Sequence, residues 1–265
     1  MSLNVYPPVS EHDPWMEHAI SNIFADFGDD VSTENKNKDL LKYGRSTQVQ
    51  TTTSTLMTLP TGTFTETYVS SNLINSIIST NTGDTEEVKI EGHTISGSNL
   101  TFVVQTVTLT GQTAASLGTA LARVTRVYNN DSTELAGTIS VTETDTYASG
   151  VPDTDAKVHL QIRAGEQQSE KCATSISSSD YWVVTSFYAD MLSKTAASAD
   201  VDLEIRISGK VFRPVASISV SESHRAVFNF KPYLIVAPNS DIRMTARANA
   251  NGKDISGGIE GTLLS

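Results

Sequence analysis

Apolar and polar residues alternate with a period of two along much of this chain. Val158, Leu160 and Ile162 interleave with Lys157, His159, Gln161 and Arg163. Val201, Leu203, Ile205 and Ile207 do the same with Asp202, Glu204, Arg206 and Ser208, and Ile242, Met244, Ala246 and Ala248 with Arg243, Thr245, Arg247 and Asn249. Successive side chains of a strand point to opposite faces, so each segment offers one dry face and one wet face, as antiparallel strands over a core do. Further strands are predicted over 85–91, 99–110, 121–128, 137–144, 181–190, 212–220, 226–230 and 258–263. Turn chemistry separates them. Gly209-Lys210 joins two runs tightly enough for a hairpin, and Asn251-Gly252 and Asn129-Asn130-Asp131 supply the positive φ of tight turns. No helical pattern lies between these strands, which indicates a sandwich or barrel rather than βαβ units.

The first forty-odd residues follow a different rule. Asp13-Pro14 reads as an N-cap followed by proline in the first helical position. Trp15, Met16, Ala19, Ile20, Ile23, Phe24 and Phe27 then recur at helical spacing, with Gly28 where a C-cap glycine belongs. A second short helix is predicted over 35–43, closed by Gly44, and Val5-Tyr6-Pro7-Pro8 upstream is held extended by its prolines. The expected class is therefore mostly β, an antiparallel jelly-roll-like sandwich with a short helical N-terminal arm. Its expected divisions are an arm over 1–45, an irregular strand-rich part over 46–95, where Leu56, Leu59, Phe64 and Tyr68 tie a Thr-rich stretch to a surface, and the main sandwich over 96–265. The apolar face of the arm either caps the β-core or docks on a partner subunit. Tyr6, Trp15, Ile20, Ile23, Phe24 and Phe27 are the candidate interface residues.

Composition narrows the function. In 265 residues, 38% are hydrophobic and 18% charged, and Thr and Ser make up much of the difference. The net charge of −11 argues against wrapping nucleic acid, where affinity comes from Lys and Arg neutralising phosphates. It equally disfavours an anionic membrane surface. No run approaches the roughly twenty apolar residues of a membrane helix. The opening MSLNVYPPVSEHDP has neither a basic stretch nor an apolar core, so export by a signal peptide is not expected. Cys172, the single cysteine, gives no disulfide framework and suits a reducing cytoplasm.

Chemistry is hard to find. There is no Gly-rich phosphate loop and no Gly-x-Ser-x-Gly elbow. His12, His18, His93, His159 and His224 are scattered without metal-ligand spacing, and His159 falls on the wet face of its strand. Asp153/Asp155, Asp200/Asp202 and Glu86/Glu87 offer oxygen ligands for Ca²⁺, but no twelve-residue calcium loop contains them. A pair of catalytic carboxylates for glycoside cleavage would come from distant strands, and nothing singles one out. Trp182 and Tyr188 lie in an apolar strand and read as core rather than as sugar platforms. No catalytic residue, cofactor or metal is expected.

Several segments resemble β-sandwich virion proteins of tailed bacteriophages, many from marine hosts. They are Lys42-Tyr43-Gly44-Arg45, Gln105-Thr106-Val107-Thr108-Leu109-Thr110-Gly111, Arg123-Val124-Thr125-Arg126-Val127-Tyr128-Asn129, Ala164-Gly165-Glu166-Gln167 and Gly209-Lys210-Val211-Phe212-Arg213-Pro214. The stretch from Pro238-Asn239-Ser240-Asp241-Ile242-Arg243-Met244 to Asp254-Ile255-Ser256-Gly257-Gly258-Ile259-Glu260-Gly261-Thr262-Leu263 resembles that family's closing hairpin. The likeness runs in order from about residue 42 to the end. It implies a jelly-roll-like sandwich, a place in the virion after assembly in the host cytoplasm, and no catalytic residues. The expected partners are further copies of the chain, as a homo-oligomer, and phage structural proteins, above all the major capsid protein. Three roles follow: a capsid decoration or cement protein, a neck or tail component such as an adaptor or collar, and a sugar-binding or sugar-cleaving sandwich. Acidity favours the outside of a shell over its DNA-filled lumen.

Overall fold

A computed structural model describes residues 38–57, 68–193, 197–207, 209–222 and 224–265. Their regular structure is antiparallel strand throughout, apart from one 3-10 turn at Asp155–Lys157. The helix expected over 14–27 lies outside the described residues, as do all six candidate interface residues. The second expected helix is corrected. Its C-terminal half belongs to β1 (Lys38–Val49), in which Lys42, Gly44 and Ser46 are buried and Leu41 and Tyr43 exposed. Polar or absent side chains at the inward positions hid a two-residue period behind the Leu40-Leu41 pair. Gly44 is thus no helix cap. A Cβ there would stand 2.2 Å from the carbonyl oxygen of Leu56 and 2.3 Å from the amide nitrogen of Cys172, so only glycine lets these backbones meet.

After β2 (Ser54–Thr55) the chain forms β3 (Ile74–Ser79), β4 (Glu87–Ser96), β5 (Asn99–Thr108), β6 (Ala115–Leu121), β7 (Arg123–Asn129) and β8 (Ile139–Glu143). Two short strands, β9 (Tyr147–Ala148) and β10 (Val151–Pro152), precede β11 (Val158–Ile162). The chain then runs through β12 (Ala173–Ser175), β13 (Tyr181–Met191), β14 (Ser198–Ile207), β15 (Arg213–Ser221), β16 (Arg225–Val236), β17 (Ser240–Ala248) and β18 (Lys253–Leu264).

Two sandwiches result. Set aside β2 to β11, and the first remaining strand pairs with the last, the second with the seventh, the third with the sixth and the fourth with the fifth. That is the connectivity of a hairpin ladder rolled into a jelly roll. Its sheets, β1-β18-β13-β16 and β12-β17-β14-β15, enclose Trp182, Phe187, Leu203, Ile242, Met244 and Ile259. The second sandwich, β11-β8-β3-β6 over β5-β4-β7, encloses Ile77, Ile90, Leu121, Val127, Val141 and Leu160. It is spliced into one edge of the first. β2 and β12 both pair with β17, through Thr55↔Thr245 and Thr174↔Ile242. The chain leaves that broken edge at Met57 and returns at Lys171, and these two residues bridge each other.

Three expectations change accordingly. No boundary falls at residue 95, because β4 and β5 pair across it through Ser96↔Asn99 at a turn with Gly97 at φ 61°. The segments likened to a closing hairpin, β17 and β18, belong to opposite sheets, and Gly252 (φ 74°) carries the chain from one to the other. Val158, Leu160, Ile162, Val201, Leu203, Ile242 and Met244 are buried as expected, while Ile205 is only half-buried and Ile207 exposed, and much of the wet face of two of these strands is dry. His159, Gln161, Arg243 and Thr245 are buried too, because further layers cover β11 and β17.

Gly44→Ala is expected to lower stability by about 1–3 kcal/mol through overpacking against fixed backbone. Gly118→Ala, whose added Cβ meets only a side-chain oxygen at 3.6 Å, should be neutral or slightly stabilising in the same urea titration.

Candidate assembly surface

Where the sandwiches meet, the seam is polar and its partners are committed. Asp241, at the start of β17, accepts from Arg123 Nε at 3.0 Å, Arg206 Nε at 3.0 Å and Ser175 Oγ at 2.5 Å. Arg123 comes from the inserted sandwich, and its Nη1 also donates to the carbonyls of Val69 and Ala122. Burial alone would raise the Asp241 carboxyl, but the two guanidinium groups outweigh it and hold the group below the ordinary aspartate range. Tyr68 and Phe212 pack 4.9 Å apart, with Arg206 over the Tyr68 ring at 4.3 Å and Arg243 over Phe212 at 3.9 Å. Arg243 also donates to Glu204 at 2.8 Å. These contacts cover the outer side of β17 and explain its second dry face.

Beside the seam lies a cleft of about 470 Å³ between β1 and the outer side of β5-β4-β7, lined by Lys42, Lys89, Glu91, His93, Phe102 and Asp180 among others. Burial pushes the Lys42 ammonium down to about 8, with Glu91 opposing, and lowers His93 to about 4. The Nδ1 atom of His93 is buried without a hydrogen-bond partner among the described residues. Cys172 is not in the cleft; its thiol sits in the jelly-roll core against Met244, and burial pushes it up.

The other candidates scatter. His159 is a correction: it is buried, 3.1 Å from Glu143, rather than solvated. Asp153 accepts from Thr146, Asp200 from Ser219 and Asp202 from Ser217, while Glu86 and Glu87 accept from the Thr85 amide and Asn130. No group of three His, Cys, Asp or Glu that could hold a metal occurs among the described residues. Trp182 is core, and Tyr188 is half-buried under Arg225 at 4.0 Å.

One flank of the jelly roll is different. β15 and β16 are the last strands of their sheets, pairing only with β14 and β13. Between Ile207 and Tyr233 this flank leaves Val211 70% and Tyr233 58% exposed, along with Val215, Val227 and Phe228. Its own strands and their turn are basic in an acidic protein: residues 207–236 hold Lys210, Arg213, Arg225 and Lys231 against Glu222, while the paired strands set Asp190 across from Arg225 and Asp200 and Asp202 against Ser219 and Ser217. Sequence reasoning missed it. Most of Arg225–Val236 is apolar, which reads as a core strand, and Pro232 obscures its second half. The readable signal was the clustering of cations inside that run.

These elements define a jelly roll with a second sandwich spliced into one edge and an apolar, cationic flank. No family model and no curated protein matches the chain. Among solved structures it is similar to that of infectious bursal disease virus Gt strain, at 10% identity and a TM-score of 0.21, covering 89% of this chain and 73% of that one. The Gx strain structure gives 9% identity and 0.24 over 89% and 74%, and the VP2 subviral particle of the same virus 10% and 0.20 over 94% and 76%. Superpositions at this level add nothing to the fold argued above.

Arg123→Ala would remove one of the two cations on the buried Asp241 carboxylate, leaving Arg206 and Ser175, and is expected to cost about 1.5–3 kcal/mol in chemical denaturation. A separate effect is expected from His93. Between pH 6.5 and about 4 the unfolded chain holds a proton there that the folded chain refuses, so stability falls as pH drops through that window. His93→Gln should remove about 3 kcal/mol of that fall, read as a flatter pH dependence of the urea midpoint.

Proposed function

We propose that this chain is a non-enzymatic structural subunit of a bacteriophage virion, a decoration or cement protein on the outer face of the shell. The observation that carries the reading is the contrast between two sealed cores and one long flank of exposed apolar side chains. Contiguous apolar surface of this kind marks a site of association. The net charge of −11 suits a surface that faces solvent rather than packaged DNA. The likeness of segments from residue 42 onward to tailed-phage virion proteins points the same way. Partners under this reading are further copies of the chain and the major capsid protein, with the acidic, apolar residues 1–37 as an arm that grips a neighbour. Trp15, Ile20, Ile23, Phe24 and Phe27 would be its anchors, since buried aromatic and aliphatic residues typically dominate a contact's energy.

The test is co-sedimentation with shells that lack the protein. The full chain is expected to bind at a fixed ratio to shell subunits, and a chain lacking residues 1–37 to stay folded and unbound. Undiminished binding by the shortened chain would remove the arm from the account, and no binding by either would remove the shell. Turnover of a capsular polysaccharide, lost on changing one carboxylate, would overturn the non-enzymatic part.

A further inference from the structure

We infer that the β15–β16 flank is the receptor for residues 1–37 of a second copy of this chain, so that copies join head to tail. The inference rests on the proposed reading that the arm grips a neighbour, and it names the surface gripped. β16 is twelve residues long and β15 nine, and neither has a partner on its outer side. Long, exposed, apolar edges invite another chain, and stable proteins cover or blunt them. Here the flank carries Val227, Phe228 and Tyr233 in solvent on β16 and Val215 on β15. Arg213, Lys231 and Lys210 are exposed around them, as is Arg225, which lies over the Tyr188 ring with Asp190 as its cross-strand neighbour.

Residues 1–37 are the chemical complement. They contain Glu11, Asp13, Glu17, Asp26, Asp29, Asp30 and Glu34 against Lys36 alone, together with Trp15, Phe24 and Phe27. Apolar side chains set among carboxylates match apolar side chains set among cations, and such matching selects the partner as well as attracting it.

The choice of a second copy follows from the proposed reading that the arm grips a neighbour. Residue 38 begins β1, and β1 lies at the opposite edge of its sheet from β16. Three strand spacings, about 14 Å, separate the two edges. Thirty-seven residues can span that distance several times over, so the flank of the same copy is the rival receptor, and mixing the two variants separates it from exchange between copies. Pairing two β15–β16 flanks face to face would instead set cations against cations. A heterologous contact avoids this and generates a ring or an open row. The β1 side, with Leu41 and Tyr43 exposed, completes the second surface that such a contact needs.

Two full-length variants test it in sedimentation velocity. Trp15→Ser/Phe24→Ser/Phe27→Ser disables the arm, and Arg213→Glu/Lys231→Glu disables the flank. Each is expected to weaken self-association at least about tenfold. Mixed, they should form a 1:1 complex, the intact arm of one seated on the intact flank of the other. Adding Asp26→Lys/Asp29→Lys/Asp30→Lys to the flank variant should restore association by exchanging the charges. Association lost in the arm variant but unchanged in the flank variant overturns the receptor and leaves the arm reading standing. Both variants associating normally overturns both. Failure of the mixture to pair overturns the exchange between copies, and so does a wild-type chain that never self-associates. If the flank variant melts earlier than wild type, Val227→Ser/Tyr233→Ser replaces it with the same outcomes.

Discussion

A single carboxylate at the start of β17 organises the meeting of the two sandwiches. Asp241 is almost wholly buried, which in isolation is among the most costly placements a charge can have. Arg123 reaches it from the inserted sandwich, Arg206 from β14 and Ser175 from β12. The insert supplies one of the cations that keeps the jelly roll's buried charge satisfied. Each sandwich has its own apolar core, but neither has a complete polar one alone. The guanidinium of Arg123 also ties down the carbonyls of Val69 and Ala122, so the crossing segment and β7 are fixed by the same group. The amide of Leu100 donating to Asn239 and the Lys171 ammonium donating to the Val124 carbonyl add further polar ties across the same seam.

The fold was largely legible in the sequence because strands over a core must alternate. β11, β14 and β17 were read close to their bounds on that rule. Where it failed, the inward positions held residues that do not look like core. In β1 these are Lys42, Gly44 and Ser46, and their place is set by close backbone approach and by the cleft, neither of which leaves a mark in hydropathy. The division into two sandwiches was illegible for another reason. An insertion between β2 and β12 reads as more of the same strands, and only the pairing of both with β17 reveals it.

The flank illustrates a subtler limit. A run such as that of β16 is apolar whether a sheet or another molecule covers it, and periodicity cannot tell the two apart. The distinction lay in charge. Cations interrupting an apolar run in a protein of net charge −11 mark a surface that expects an anionic neighbour.

The splice has a consequence for how the chain comes to be folded. Every strand of the insert finds its partners within about a hundred residues, as in Ile74↔Glu143 and His93↔Arg123. The jelly roll closes only when Lys38 meets Leu263, a separation of more than two hundred residues. Distant pairings are slow because loop-closure entropy precedes any reward. During synthesis the insert can therefore mature while β1 and β2 wait, and its rooted ends at Met57 and Lys171 bring β2 and β12 end to end along the edge that β17 joins. What looks like an interruption of the jelly roll shortens the search that completes it.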